Sequence, residues 1–271
     1  MFYLGGIIGR YANRVGQASL PLDGKIYPLT ANEGKNQLHG GFQGFNRVFW
    51  EVERLSQSKI SLSYLSAHLE EGYPGNLQVK VTYEVTDQGA LVIDYLAETD
   101  ETTVLNLTNH AYFNLEDDES HIIFDNDLKI DSRMLVQADD EMIPTGEIID
   151  ISNTALDFTG GKKIGPDIQS KNKLLAATNG YDHCYAFEGN ELKLMAELSS
   201  PTSGIKMDVR STEPGMQLYT GNFLKAPFKP YTAVCLETQH FPDSPHQPSF
   251  PSTLLKPGDV FTSKTMYQFN S

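Results

Sequence analysis

Several side chains have the types and settings that acid–base chemistry on a small polar molecule would need. His110 stands at the centre of Leu105-Asn-Leu-Thr-Asn-His-Ala-Tyr-Phe-Asn-Leu115. One face of that run carries Leu105, Leu107, Asn109, Ala111, Phe113 and Leu115, and the other carries Asn106, Thr108, His110, Tyr112 and Asn114. Alternation of this length predicts a β-strand with one buried and one polar face. The polar face has no lysine, aspartate or glutamate. Its hydroxyls, amides and single imidazole suit hydrogen bonding to a neutral polyol. The plain alternative is an ordinary antiparallel strand with water on one side. Glu237 is the second group, directly after the apolar Ala233-Val-Cys-Leu236. A carboxylate emerging from a buried strand is desolvated, which raises its pKa unless it is partnered. That makes it a candidate for proton transfer, against the simpler reading of a salt-bridged strand end.

Other polar groups could hold a ligand. Arg10 and Arg14 flank Asn13. They are either two surface charges or an arginine fork over a polar ligand. His39 enters a loop with glycines at 40, 41 and 44 and aromatics at 42, 45, 49 and 50. The glycines permit close backbone approach. The rings could cover the C–H face of a pyranose, or could form a core cluster with His39 as a turn residue. Asp182 and His183 stand at the mouth of a strand, where a carboxylate is more often a turn cap. Gln217 shares a face with Tyr219 in Pro214–Asn222. The acidic run Glu116-Asp-Asp-Glu119 lacks the glycine and terminal glutamate of a calcium-binding loop. It reads as a solvated loop, and no metal site is expected.

The elements that must position these groups are strands. Lys59–Leu65, Leu77–Val85 and Leu91–Ala97 alternate, with Asp87-Gln-Gly89 turning between the last two. Asp23-Gly24 closes a hairpin over residues 20–29. Two strands flank Pro201-Thr-Ser-Gly204, and Tyr267-Gln-Phe269 ends a last one. Residues 116–178 are the most irregular part, with room for a short helix within 161–176. Strands with short turns and no long 3.6-residue periodicity predict an all-β sandwich. No linker, repeat or low-complexity block divides residues 1–271, so a single domain is expected. Twenty-one basic and 35 acidic residues give a net charge of −14, which disfavours nucleic acid and anionic membranes as partners. Cys184 and Cys235 lie in apolar runs and form no disulfide framework, as in a cytoplasmic protein. No stretch approaches the ~18 consecutive apolar residues of a membrane-spanning helix.

These pieces together resemble the aldose 1-epimerase (galactose mutarotase) family. The matching segments are Gly9-Arg-Tyr-Ala-Asn-Arg14, Leu38-His-Gly-Gly-Phe-Gln-Gly-Phe45, Thr108–Leu115, Tyr181-Asp-His183, Pro214–Asn222, Leu236-Glu-Thr-Gln239 and Phe250–Gly258. They run in the family's order along nearly the whole chain. The resemblance implies a large antiparallel β-sandwich of the galactose mutarotase-like supersandwich type with an open sugar cleft. By position, Glu237 resembles the general base, His110 the general acid and His39 the second histidine at the ring oxygen. Arg14 with Asn13 resembles the pair that contacts sugar hydroxyls. Asp182 resembles the hydroxyl-binding carboxylate, and Gln217 a further cleft residue. Arg10 falls in a motif without being assigned the contact. Family members carry several dozen residues before the segment matching Tyr3-Leu-Gly-Gly6, so a sandwich without its N-terminal strands is expected.

The implied reaction opens a pyranose hemiacetal. A base takes the anomeric proton and an acid protonates the ring oxygen. Rotation about C1–C2 precedes the reverse closure. Acid and base exchange roles and are expected on different sides of the substrate, a free aldose. No metal, nucleotide or redox cofactor is required. The residues also leave open a glycoside hydrolase using Asp182 with Glu237, and a sugar-binding module without turnover. An epimerase of hexose 6-phosphates ranks low for want of a basic cluster.

Overall fold

A computed structural model describes residues 3–116, 122–168 and 172–270. Leu77–Val85 and Ala90–Thr99 turn at Asp87-Gln-Gly89 and pair antiparallel from Leu77 opposite Thr99 to Val85 opposite Leu91. Their β-branched and aromatic residues favour a pleated, half-buried surface. They sit inside a nine-stranded antiparallel sheet. It runs from Glu51–Arg54 and Lys59–Ser66 through this hairpin to Phe261–Asn270, Lys206–Ser211, Lys193–Ser199, Asp127–Ile130 and Lys162–Lys163. A five-stranded sheet is ordered Pro144–Asp150, Met134–Ala138, Asp182–Ala186, Gly215–Tyr219, Cys235–Gln239.

The inward residues of the two sheets share one core. Val79, Val81, Tyr95, Val209 and Tyr267 of the large sheet cluster with Leu135, Tyr185, Met216, Leu218 and Leu236 of the small one. The Tyr267 hydroxyl crosses the gap and donates to the Leu236 carbonyl at 3.1 Å. The architecture is therefore the expected all-β sandwich. The 20–29 hairpin forms as Ser19–Leu22 with Lys25–Pro28. Two short helices, Gly165–Ile168 and Lys173–Thr178, fall in and just beyond the segment expected to hold one. The segment read as irregular contributes Asp127–Ile130 to one sheet and Met134–Ala138 and Pro144–Asp150 to the other. Of the acidic run 116–119, residues 117–119 lie outside the described residues. No helix among the described residues is long and apolar enough to cross a membrane.

The alternating run around His110 departs from expectation. Only Thr108–Asn109 is strand, and residues 105–110 are buried on both sides rather than one. The run is threaded between two other segments. On one side Ile7–Ile8 pairs with Thr108–Asn109, and the His110 N–H donates to the Gly6 carbonyl at 3.0 Å. On the other, Phe113 and Val234 exchange N–H to O bonds, each 2.8 Å, beside the last strand of the small sheet. Asn106 and Thr108 of the polar face are fully buried, while His110 and Tyr112 line a cleft. Asn106 uses its amide on the Ala12 and His240 backbone, not on water.

Arg10 also departs from both of its readings. It is buried, and its guanidinium donates to the carbonyls of Ser66, Ala67, Pro74 and Gly75 and to the Ser66 hydroxyl. It ties the N-terminal segment to the 66–75 loop, whereas Arg14 pairs with Glu33. Burial pulls its pKa down to about 10.

Candidate active site

The outer face of the small sheet carries the chemistry. Its register sets Cys184 opposite Gln217 and Gln217 opposite Glu237, and next to that row Asp182 opposite Tyr219 and Tyr219 opposite Cys235. Because side chains alternate across a strand, these six share one face, while Tyr185, Met216, Leu218 and Leu236 turn into the core. The 105–113 segment lies over this face and brings His110 to it. His110 Nε2 comes within 3.7 Å of Glu237 Oε1, and His110 Nδ1 within 3.5 Å of Cys235 Sγ. Glu237 is 2% exposed and His110 4%.

His39 reaches the same place from the glycine loop. The His39 N–H donates to the Asn13 carbonyl at 2.9 Å, and the Asn13 N–H donates to His39 Nδ1 at 3.1 Å. Both residues have positive φ, 61° for Asn13 and 51° for His39. The adjacent Gly40 is required, since a Cβ there would lie 1.9 Å from the Gly9 carbonyl oxygen. Of the loop's aromatics, Phe45 and Trp50 pack on Tyr64, while Phe42 and Phe49 point to solvent. That cluster is partly core and partly surface, and only His39 of the loop's rings lines the cleft.

The cleft has about 1000 Å³ of open space. It brings together all seven predicted residues: Asn13, Arg14, His39, His110, Asp182, Gln217 and Glu237. Arg14 grips Glu33 with two bonds, Nε to Oε2 at 2.6 Å and Nη2 to Oε1 at 2.9 Å. Gln217 Nε2 donates to Asp182 Oδ1 at 2.6 Å. Gln217 Oε1 and Glu237 Oε2 are buried acceptors with no protein partner. Such orphans carry the desolvation cost of an unmade bond, which a hydroxyl donor would relieve.

Burial dominates the electrostatics. It holds Glu237 well above the carboxylate range, with Asp182 adding to the effect. It drives His110 down to about 4 and His39 well below the usual imidazole value, the latter helped by His110 and Arg14. Asp182 is raised by burial, opposed by Arg14 and by the Gln217 hydrogen bond. Burial thus works against the charged form of both members of the Glu237–His110 pair.

One donor atom from each of His39, His110 and Glu237 lies within 4.8 Å of the others, close enough to raise the question of a metal. The tautomer of His39 answers it. Nδ1 accepts from the Asn13 N–H, so the proton of the neutral ring is on Nε2. A ligating imidazole needs the reverse, a bare nitrogen toward the metal and N–H on the far side. The set is built to donate a hydrogen bond from His39, not a lone pair.

Among the cleft residues outside the predicted seven are Tyr3, Glu33, Tyr112 and Tyr219. Tyr3 and Tyr112 stack on His110, with centroids 5.5 and 4.9 Å away and planes within 16° and 15°. Tyr219 meets the same ring edge-on at 6.3 Å. Tyr112 and Tyr219 had a signal, since each lies two residues along a strand pattern from a chosen residue. Tyr3 and Glu33 had none, because their segments meet the cleft only through the fold. His110 and Glu237 are thus immediate neighbours at one place in the cleft.

Comparison with known proteins gives this geometry a lineage. The family model described as aldose 1-epimerase matches residues 2–268. Galactose mutarotase of Bos taurus is 40% identical over 99% of this chain and 79% of its own length. Aldose 1-epimerase of Haemophilus influenzae is 34% identical over 98% and 81%. The solved aldose epimerase homologue from C. elegans superposes with a TM-score of 0.92 at 30% identity, covering 100% of this chain and 83% of its own. A fold, a cleft and a match that all span the chain leave one assignment: this protein belongs to the aldose 1-epimerase family.

Proposed function

We propose that the protein interconverts the α and β anomers of free hexoses such as galactose and glucose, with residues 1–271 acting as one catalytic unit in the cytoplasm. The observation that carries this reading is the buried Glu237–His110 pair, 3.7 Å apart at the floor of a cleft lined by hydroxyl-binding groups. Glu237 is the base that takes the anomeric proton, and its unpartnered Oε2 is the acceptor for that hydroxyl. His110 is the acid at the ring oxygen. His39 donates its Nε2–H there, stabilising charge as the ring opens. Arg14, Asn13, Asp182 and Gln217 hold the remaining hydroxyls. As O1 loses its proton, Glu237 gains it and His110 gives one to the ring oxygen. The pair thus ends with the proton on the carboxyl and a neutral imidazole. Opening starts from the other arrangement, with the proton on His110 and Glu237 ionised; burial disfavours these two charges in the empty cleft, so the proton crosses the 3.7 Å contact from Glu237 to His110 as the sugar's hydroxyls reach the pair. Closure on the other carbonyl face returns both protons.

General acid–base groups supply ~10²–10⁴-fold each, and fixed positioning supplies the rest. The bovine and bacterial relatives, named galactose mutarotase and aldose 1-epimerase, support this reading. Two free, buried cysteines support a reducing compartment. The test is mutarotation followed by polarimetry on freshly dissolved α-D-galactose, α-D-glucose and other aldoses. Relaxation no faster than in buffer, with sugar still bound, would make the protein a binding module. Release of nitrophenol from aryl glycosides would make it a hydrolase.

A further inference from the structure

Among the described residues lining this cleft and the cavity that adjoins it, Arg14 is the one lysine or arginine. The carboxylates there are Glu33, Asp182, Glu237, Asp139 and Asp140. Burial lowers the pKa of His39, His110 and His183, so they add no standing cation, and it raises those of Glu237 and Asp182. An arginine at the wall of a sugar site would ordinarily recruit anions, because its fork matches a carboxylate or phosphate in geometry. Here the fork is already filled by Glu33 through Nε and Nη2.

Glu33 is held to that task. Glu33 and Asn36 exchange backbone bonds of 3.1 and 2.9 Å across a tight turn. Asn32 clasps the Leu38 backbone in both directions at 2.7 and 2.9 Å. Lys35 and Asn36 reach over to Glu141, at 2.7 and 3.1 Å, next to the 139–142 segment of the cavity wall. The turn is thus fastened at three points, with its carboxylate aimed at Arg14.

Resting on the epimerase reading above, we infer that Glu33 is a specificity-determining residue. By occupying the Arg14 fork it leaves the cleft without an uncompensated cation, so the site takes neutral aldoses and rejects sugars bearing a carboxylate or phosphate. Sugar hydroxyls can donate to Asp182, Gln217 and Glu237, whereas an anionic sugar offers those acceptors only like charge or unmatched lone pairs.

Three substrates that differ at C6 separate charge from size: galactose, galacturonamide and galacturonate. At neutral pH, polarimetric kcat/KM for the amide should fall within a few-fold of galactose, and that for the uronate ~10²-fold below it, mostly through KM. Added salt should lower the KM of the uronate and leave that of galactose unchanged. Glu33→Gln should raise the uronate-to-galactose ratio of kcat/KM by ~10-fold, less than the full charge effect because the Arg14–Glu33 pair is partly solvated. Glu33→Asp should keep the wild-type ratio. Uronate turnover equal to that of the amide, with no salt dependence, overturns the inference while leaving the epimerase intact. So does an unchanged ratio in an active Glu33→Gln protein. Failure to turn over galactose at all would instead sink the epimerase reading.

Discussion

Replacing Glu237 by glutamine isolates the base. The substitution preserves shape and keeps an acceptor oxygen in the cross-strand row with Gln217. Glu237 has no protein partner on Oε2, and its nearest ionic neighbour is His110 at 3.7 Å. No strong protein hydrogen bond is therefore broken. A buried carboxyl with a raised pKa gives way to a neutral amide, so thermal stability should hold or rise slightly. Catalysis loses its general base, a ~10²–10⁴-fold effect, which is about 2.7–5.5 kcal/mol on the barrier. Galactose affinity should change by less than ~10-fold, since one neutral hydrogen bond contributes about 0.5–1.5 kcal/mol net. Polarimetry on fresh α-D-galactose gives the rate above the buffer background, and calorimetric titration gives the affinity. Formate should partly restore turnover in Glu237→Ala. An undiminished rate in Glu237→Gln refutes the base assignment, as does a rate that falls only as far as affinity does.

The pH profile follows from the shared proton. Activity requires Glu237 and His110 to hold one proton between them. A second proton reaches His110 near its depressed value of about 4, so kcat/KM should stay level to below pH 5 and fall only there. The alkaline limb lies where the raised Glu237 finally ionises, and an acid limb near the ordinary imidazole value of about 6.5 would contradict this account. Arg10→Met strands buried carbonyls and should cost ~3–5 kcal/mol in urea unfolding, with KM unchanged in the folded protein; an altered KM at unchanged stability would put Arg10 in the site instead. Tyr112→Leu removes a ring stacked on His110 and should lower kcat by ~2–10-fold. Tyr112→Phe should keep it, and equal losses in both would point to the hydroxyl.

Local pattern carried a good part of this protein. The period-2 runs of 59–65, 77–85 and 91–97 declared a sheet, the last two because each buries one face, and Asp23-Gly24 and Asp87-Gln-Gly89 marked real turns. Glu237 was legible because four apolar residues before a carboxylate announce desolvation wherever the strand lies. The His110 run departs from its pattern in two respects: only Thr108–Asn109 is strand, and Asn106 and Thr108 of the polar side are buried in protein. Alternation reports which residues share a face, but not what covers it.

What only the tertiary structure decided is proximity. Arg10 and Arg14 look alike in sequence, four residues apart, yet one meets a ring of backbone carbonyls and the other a glutamate at the mouth of the cleft. His110 and Glu237 are 127 positions apart, and Tyr3 and Glu33 come from two further segments. Their pKa values, their tautomers and the charge of the cleft depend on burial and on partners brought from distant strands. Sequence determines which groups are available for proton transfer; the packing of the two sheets determines which of them lose water and meet.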